Sequence, residues 1–157
     1  MKTQRASIWV HLDCRVPCAD LDTARLRRLA RKVCKRFDAV PARVSVSIVD
    51  DGQIKILHKQ FFNTAKTTDV ISFDLTDEPD SVRDFDIIIN IDQARRQAQQ
   101  RGHTAEAEMS LYLVHGLLHQ LGFDDLEPAQ ARRMHEQEDA ILQDAGYGKV
   151  YDSTRKG

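Results

Sequence analysis

The sequence predicts an α+β domain, a small and mostly four-stranded mixed sheet covered by helices. Three observations carry that reading. Short alternating or β-branched apolar runs recur as far as Ile91, and segments of helical period separate them. Two long helical segments then close the chain. No repeat, low-complexity stretch or internal linker divides the 157 residues. A chain of this length suits one domain and buries roughly 70% of the surface it would expose unfolded. The expected organisation is therefore one domain over residues 1–157, with 147–157 as a loose tail.

The elements follow in order. Ser7–Asp13 alternates as a strand, with Ile8, Val10 and Leu12 on one face, until Pro17 and Asp20 break it. Asp22 caps a helix to about Phe37, whose apolar stripe is Leu26, Leu29, Ala30, Val33, Cys34 and Phe37. Its other side carries Arg25, Arg27, Arg28, Arg31, Lys32, Lys35 and Arg36. Such a face is either solvated surface or a patch that meets phosphates. Val44, Val46 and Ile48 alternate as a second strand, and Asp50-Asp51-Gly52 reads as a turn. Ile54, Leu57, His58 and Phe61 fit a short helix, and Asn63–Thr68 a polar loop. Asp69–Phe73 forms a third strand, Leu75–Arg83 an exposed acidic loop, and Asp86–Ile91 a buried fourth strand. Asp92 caps a helix that Gly102 stops, and Thr104 caps another that reaches Leu121 before Gly122. Pro128 opens the last helix, which runs to Ala145.

Composition excludes several classes. Hydrophobic residues at 41% and charged residues at 30% are ordinary for a folded soluble protein. Twenty-three basic and 24 acidic residues leave a net charge of −1, which argues against a polycation that coats nucleic acid. No apolar run approaches the ~20 residues of a membrane helix. The N-terminus lacks a signal peptide's apolar stretch, so a cytoplasmic protein is expected. Cys14, Cys18 and Cys34 are odd in number and complete no zinc ribbon, so they read as plain thiols.

The segment that carries chemistry is His115-Gly116-Leu117-Leu118-His119-Gln120-Leu121-Gly122-Phe123-Asp124-Asp125. Histidines four positions apart on a helix lie within about 40° of one another, so both imidazoles can reach one metal ion. Gly122 lets the chain turn back, and Asp125 follows far enough on to supply a third ligand, with Asp124 as its competitor. Leu111, Val114, Leu117, Leu118 and Leu121 make the helix nearly all apolar, hence buried, and two buried histidines without partners would be costly. Two separately satisfied core histidines and a purely structural zinc are the alternatives. Three ligands without a cysteine favour an open coordination position. The spacing is near that of metalloproteases, but those place a glutamate directly after the first histidine as general base. Here Gly116 occupies that position and cannot move a proton, which counts against a peptidase.

On these residues the chain resembles the YbeY family of bacterial endoribonucleases, over roughly Val44 to Ala145. The family signature His-Gly-x-Leu-His-x-x-Gly-Tyr-Asp-His is matched by HGLLHQLGFDD. A Thr-Asp-Val-Leu-Ser-Phe segment is matched by Thr68-Asp69-Val70-Ile71-Ser72-Phe73, and a Gly-Asp-Ile strand by Phe85-Asp86-Ile87. Glu108 matches a glutamate seven residues before the first metal histidine, and Met134 with Glu138 a Met-x-x-x-Glu helix.

The resemblance implies a metal-dependent, single-strand-specific endoribonuclease that matures the 3′ end of small-subunit rRNA and serves ribosome quality control. It implies one zinc per chain on His115, His119 and Asp125, with iron(II) the alternative that a two-His-one-carboxylate set suits. The expected partners are single-stranded rRNA and the small ribosomal subunit, and the expected state is a cytoplasmic monomer. Two positions depart from the family pattern: Asp125 replaces a third histidine, and Phe62 stands where the family has an arginine. Lys66 matches a family lysine, so Lys66, His115 and His119 are the expected catalytic residues, Lys66 as a phosphate contact or else a solvated lysine. Asp69 and Asp86 are expected to hold loops or to hydrogen-bond behind the metal ligands, with a plain cap or turn role the alternative. Phe61 and Phe62 are expected in the core, with base stacking the alternative, and Arg132, Arg133 and His135 are expected on the surface. The rival readings are a ribosome-assembly binding factor with a mainly structural metal and, behind it, a metallopeptidase.

Overall fold

A computed structural model describes residues 7–78, 81–148 and 150. Strands β1 (Ile8–Cys14), β2 (Ala42–Val49), β3 (Val70–Asp74) and β4 (Arg83–Asn90) form one sheet in the order β1-β2-β4-β3. β1, β2 and β4 run parallel, and β3 pairs antiparallel with β4 at the edge, Ile71 opposite Ile88. The helices are α1 (Thr23–Arg36), α2 (Asp51–Phe62), α3 (Ile91–Arg101), α4 (Ala105–Gln120) and α5 (Pro128–Asp144). The mixed sheet under helices is the expected architecture.

The period of two along each strand divides the apolar residues between two layers. Val44, Val46, Ile48, Phe85, Ile87 and Ile89 join the main core with Leu26, Leu29 and Val33 of α1 and Met109, Leu113 and Leu117 of α4. Val49, Ile71 and Ile88 face the other way and meet Ile54 of α2 in a smaller cluster. α4 packs on β3, β4 and α1, with α3 and α5 on its flanks. Eleven of its 16 residues are buried, which makes it the central helix of the domain.

Three boundaries differ from the sequence reading for reasons the side chains supply. Asp50-Asp51-Gly52 is a helix start rather than a turn. Asp50 Oδ1 accepts the Gln53 N–H at 2.9 Å, and Gln53 Oε1 accepts the Asp50 N–H at 3.2 Å, a reciprocal capping box. β4 ends at Asn90 and α3 begins at Ile91, so Asn90, not Asp92, is the cap. Its Oδ1 accepts the Asp92 N–H at 3.0 Å while its amide donates to Asp51 Oδ1 and the Thr68 carbonyl, tying α2, the loop before β3 and α3 at one buried point. Of the expected loose tail, Tyr147 and Val150 lie within the described residues, and both pack. The Arg25 guanidinium sits 3.8 Å from the Tyr147 ring, the Tyr147 hydroxyl donates to Glu106 at 3.1 Å, and Val150 is buried. Residues 149 and 151–157 lie outside the described residues, as do Pro79 and Asp80 of the acidic loop.

Candidate metal centre

α4 starts at Thr104, whose hydroxyl accepts the Ala107 N–H at 3.1 Å, and its apolar sides are engaged by the sheet, α1 and α3. His115 and His119 stand on the remaining strip, one turn apart and 25% and 30% exposed. Their Nε2 atoms are 3.0 Å apart. Beyond the helix Gly122 takes φ 103°, a backbone conformation that only glycine adopts freely, and the chain reverses. Phe123 anchors the return: its N–H donates to the Leu118 carbonyl at 3.0 Å and its ring meets Phe37 edge-on at 5.3 Å. Asp125 Oδ2 thereby comes to 3.8 Å from His115 Nε2 and 3.7 Å from His119 Nε2.

These three groups offer ligand atoms that all lie within 4.8 Å of one another. Donors about 2.1 Å from a tetrahedral ion stand roughly 3.4 Å apart, so the cluster fits a divalent metal with little adjustment. Asp124 turns its Oδ1 to the Asp125 N–H at 2.8 Å and stands outside the cluster. The competition between the two aspartates has a direct check. Asp125→Ala is expected to lose bound metal, and Asp124→Ala to retain it, by elemental analysis of the purified proteins.

A second shell of side chains holds the first histidine. Glu138 of α5 is 1% exposed; one carboxylate oxygen meets His115 Nδ1 at 2.7 Å and the other His135 Nδ1 at 2.8 Å. A carboxylate on Nδ1 fixes the proton there and leaves the Nε2 lone pair directed at the ligand cluster. Burial pulls the His115 pKa down, but the Glu138 hydrogen bond and charge, with Asp69 and Asp125, more than offset it and hold it above the ordinary value. His135 was expected on the surface. It lies instead at the wall of a recess with His115, Asp69, Tyr112 and Arg101, because α5 turns Met134 and Glu138 inward and His135 falls beside them.

Behind that recess Glu108 is completely buried, two helical turns before His115. It accepts from Arg101 Nη1 at 2.8 Å and contacts His103 Nε2. The charge of a fully desolvated carboxylate is thus met by two cationic or polar partners.

The family model described as Endoribonuclease YbeY matches residues 13–146. The chain belongs to the YbeY family. Relatives named Endoribonuclease YbeY include one from Desulfitobacterium hafniense, 38% identical over 128 residues that cover 75% of this chain and 81% of that one. Another, from Myxococcus xanthus, is 38% identical over 130 residues, 80% of this chain and 44% of the longer relative. A solution structure of a Thermotoga maritima protein shares the fold, with a TM-score of 0.63 at 23% identity over 94% of this chain and 92% of that one.

Against the YbeY pattern, the remaining candidate residues separate clearly. Lys66 is exposed in the loop between α2 and β3 and makes no hydrogen bond or ion pair among the described residues. Phe61 and Phe62 are not in the core. They are 53% and 50% exposed at the end of α2, where Phe62 stacks at 6.1 Å on Phe73 and Phe61 meets the same ring at 4.7 Å. A twelve-residue helix on the thin side of the sheet has room to bury Ile54 but not its last turn. Asp69 does hold its loop, accepting the Val70 N–H at 2.7 Å, and also lines the recess. Asp86 is half-buried on β4, where burial and then the Asp84 charge push its carboxyl up, and it stands apart from the cluster.

Gly116 has a role that sequence reasoning missed. A Cβ there would lie 3.3 Å from methyls of Ile87 and Val70 and 3.4 Å from Ser72 Cβ. The glycine therefore sets how closely α4 lies on β3 and β4. A glutamate at this position would meet the sheet rather than the cluster, which counts against a peptidase with its base there. Gly116→Ala is expected to cost about 1–3 kcal/mol through overpacking, seen as a lower denaturation midpoint.

Proposed function

We propose that this chain is a metal-dependent endoribonuclease of single-stranded RNA that acts in rRNA maturation, at the 3′ end of small-subunit rRNA, and in ribosome quality control. Membership of a family of endoribonucleases supports the reaction class, and the His115–His119–Asp125 cluster is the single observation that carries the metal dependence. Zinc is the metal of this reading, with iron(II) the alternative. Such an ion supplies charge stabilisation for a phosphoryl oxygen and activates water near neutral pH.

The chain's own residues divide the remaining work. His115 and His119 present Nε2 to the site, Glu138 retains the proton on His115 Nδ1, and Asp125 closes the cluster from the loop. Lys66 is assigned to the substrate phosphate, reached from its exposed loop. No helix among the described residues is long and apolar enough to cross a membrane. The protein works in this reading as a cytoplasmic monomer on the small ribosomal subunit.

The basic face of α1 is partly structural. Arg25 donates to Glu106 at 3.2 Å and to the Ala145 carbonyl, Lys32 pairs with Asp144 at 3.5 Å, and Arg36 donates to Gln137 at 3.1 Å. Arg28, Arg31 and Lys35 make no ion pair among the described residues and are the RNA-binding part of this face. Replacing those three with Gln is expected to weaken RNA binding and flatten the log K against log salt slope by about 2. An unchanged slope would make the face solvated surface.

A second reading, a ribosome-assembly factor whose metal is structural, is favoured by the exposed phenylalanine at position 62 where the family has an arginine. One assay separates the readings: single-stranded rRNA fragments, duplex RNA and casein, each with and without chelator. Chelator-sensitive cleavage of single-stranded RNA alone is expected. RNA binding with no cleavage would install the assembly factor.

A further inference from the structure

The recess beside His115 has a volume of about 210 Å³ and lies between α3, α4 and α5. We infer that it takes the base of the nucleotide next to the cleaved phosphodiester, and that it selects guanine. The inference rests on the endoribonuclease reading of the same site.

Size sets the first limit. Pockets for whole ligands run to about 300–1,000 Å³, so this one admits a single ring system rather than a complete drug-sized molecule. Charge sets the second. Asp69 and Glu138 bring carboxylates to the wall, and Glu108 stands behind Arg101. These acceptors suit a ligand that brings N–H donors.

The polar groups then specify the edge. Arg101 uses Nη1 on Glu108, which pins the guanidinium at the wall, and its other N–H groups bond to no described residue. Gln97 lies one turn before it on α3, its amide unbonded among the described residues. The Tyr112 ring forms part of the wall, its hydroxyl buried beside Glu108. Asp69 adds an acceptor. Guanine presents two adjacent acceptors, O6 and N7, which an arginine fork recognises, and N–H donors that a carboxylate accepts. Unstacked single-stranded RNA can swing such a base out and offer these edges. His115 belongs to both the recess and the metal cluster, so a base seated here puts its own phosphate at the ligands.

The test is binding of labelled octauridylate, and of the same strand with one central guanosine or adenosine, by fluorescence anisotropy, with cleavage products mapped in parallel. The guanosine strand is expected to bind about five-fold tighter or better, the lower end of a good bidentate contact. Gln97→Ala and Arg101→Lys should each bring that ratio towards one. Gln97→Ala removes an amide with no hydrogen bond among the described residues, so its melting temperature should not fall, and Arg101→Lys keeps a charge for Glu108 while losing the fork. Equal affinity for the three strands overturns the inference, as does preference for adenosine or a guanine preference that survives in both variants. Cleavage without guanine preference removes the base site and leaves the endoribonuclease. Guanine preference without cleavage does the reverse, and no binding of any strand removes both.

Discussion

His119→Ala is expected to lose the bound metal and to lower RNA cleavage by roughly 10³-fold or more. A Lewis acid at a phosphoryl oxygen contributes several kcal/mol, and each 1.36 kcal/mol is tenfold in rate. With His119 gone, His115 and Asp125 alone do not close a coordination shell, and neighbouring Asp124 is engaged with the Asp125 N–H. The variant should nevertheless fold. Leu113, Val114, Leu117 and Leu118 keep α4 in the core, and His119 stands at the rim. Circular dichroism should therefore be unchanged while metal content and cleavage fall together. Equal activity in parent and variant, purified identically, would mean a contaminating nuclease. Unfolding of the variant would instead assign the metal a structural role.

Glu138→Ala should act on stability and metal together. The carboxylate is buried and partners two histidines, so its removal leaves both Nδ1 atoms without that acceptor in a dry setting. Breaking a buried hydrogen-bonded charge pair costs about 3–5 kcal/mol. Loss of a partner behind a ligating histidine typically weakens metal binding 10–100-fold. Glu138→Gln, which keeps an acceptor oxygen but not the charge, should fall between the two proteins.

The pH dependence has a definite sign in the metal-free protein. A histidine whose folded pKa lies above its unfolded value stabilises the fold fully below the unfolded value, and that contribution is lost as pH rises through the folded one. His115 is such a group, raised because Glu138, Asp69 and Asp125 outweigh its burial. Without Glu138 the burial remains and opposes the imidazolium. The stability lost in Glu138→Ala should therefore be greatest below the ordinary imidazole value of 6.5 and smaller well above it, by denaturant titration of chelator-treated protein. A loss independent of pH would mean that Glu138 contributes only packing.

Local pattern determined more of this molecule than composition did. The apolar stripe of α1, the alternation in β2 and the Thr104 and Gly102 boundaries are short-range features, legible because cap chemistry and periodicity act within one or two turns. The pairing of His115 with His119 was legible for the same reason, since helix geometry alone puts them on one face. That Asp125 rather than Asp124 completes the cluster followed from the family resemblance and not from spacing, and the fold supplies the reason. The Phe123–Phe37 contact holds the loop after Gly122, and Phe37 is 86 residues earlier in the chain.

The inward turn of Glu138 and His135 was beyond local reading as well. A Glu in an amphipathic helix looks solvated until α5 is laid across α4 and desolvates it against His115. Gly116 looked like an absent general base, and only the 3.3 Å approach of Ile87 and Val70 shows it to be the contact that seats α4 on the sheet. Phe61 and Phe62 failed in the opposite direction, because hydrophobicity alone does not say which side of a sheet has a layer to bury them. Sequence determined the elements and the two histidines, since spacing along one helix is enough for both. Tertiary structure decided how Asp125 is held at the cluster, the carboxylate behind His115 and the recess beside it, because each depends on which distant side chains meet.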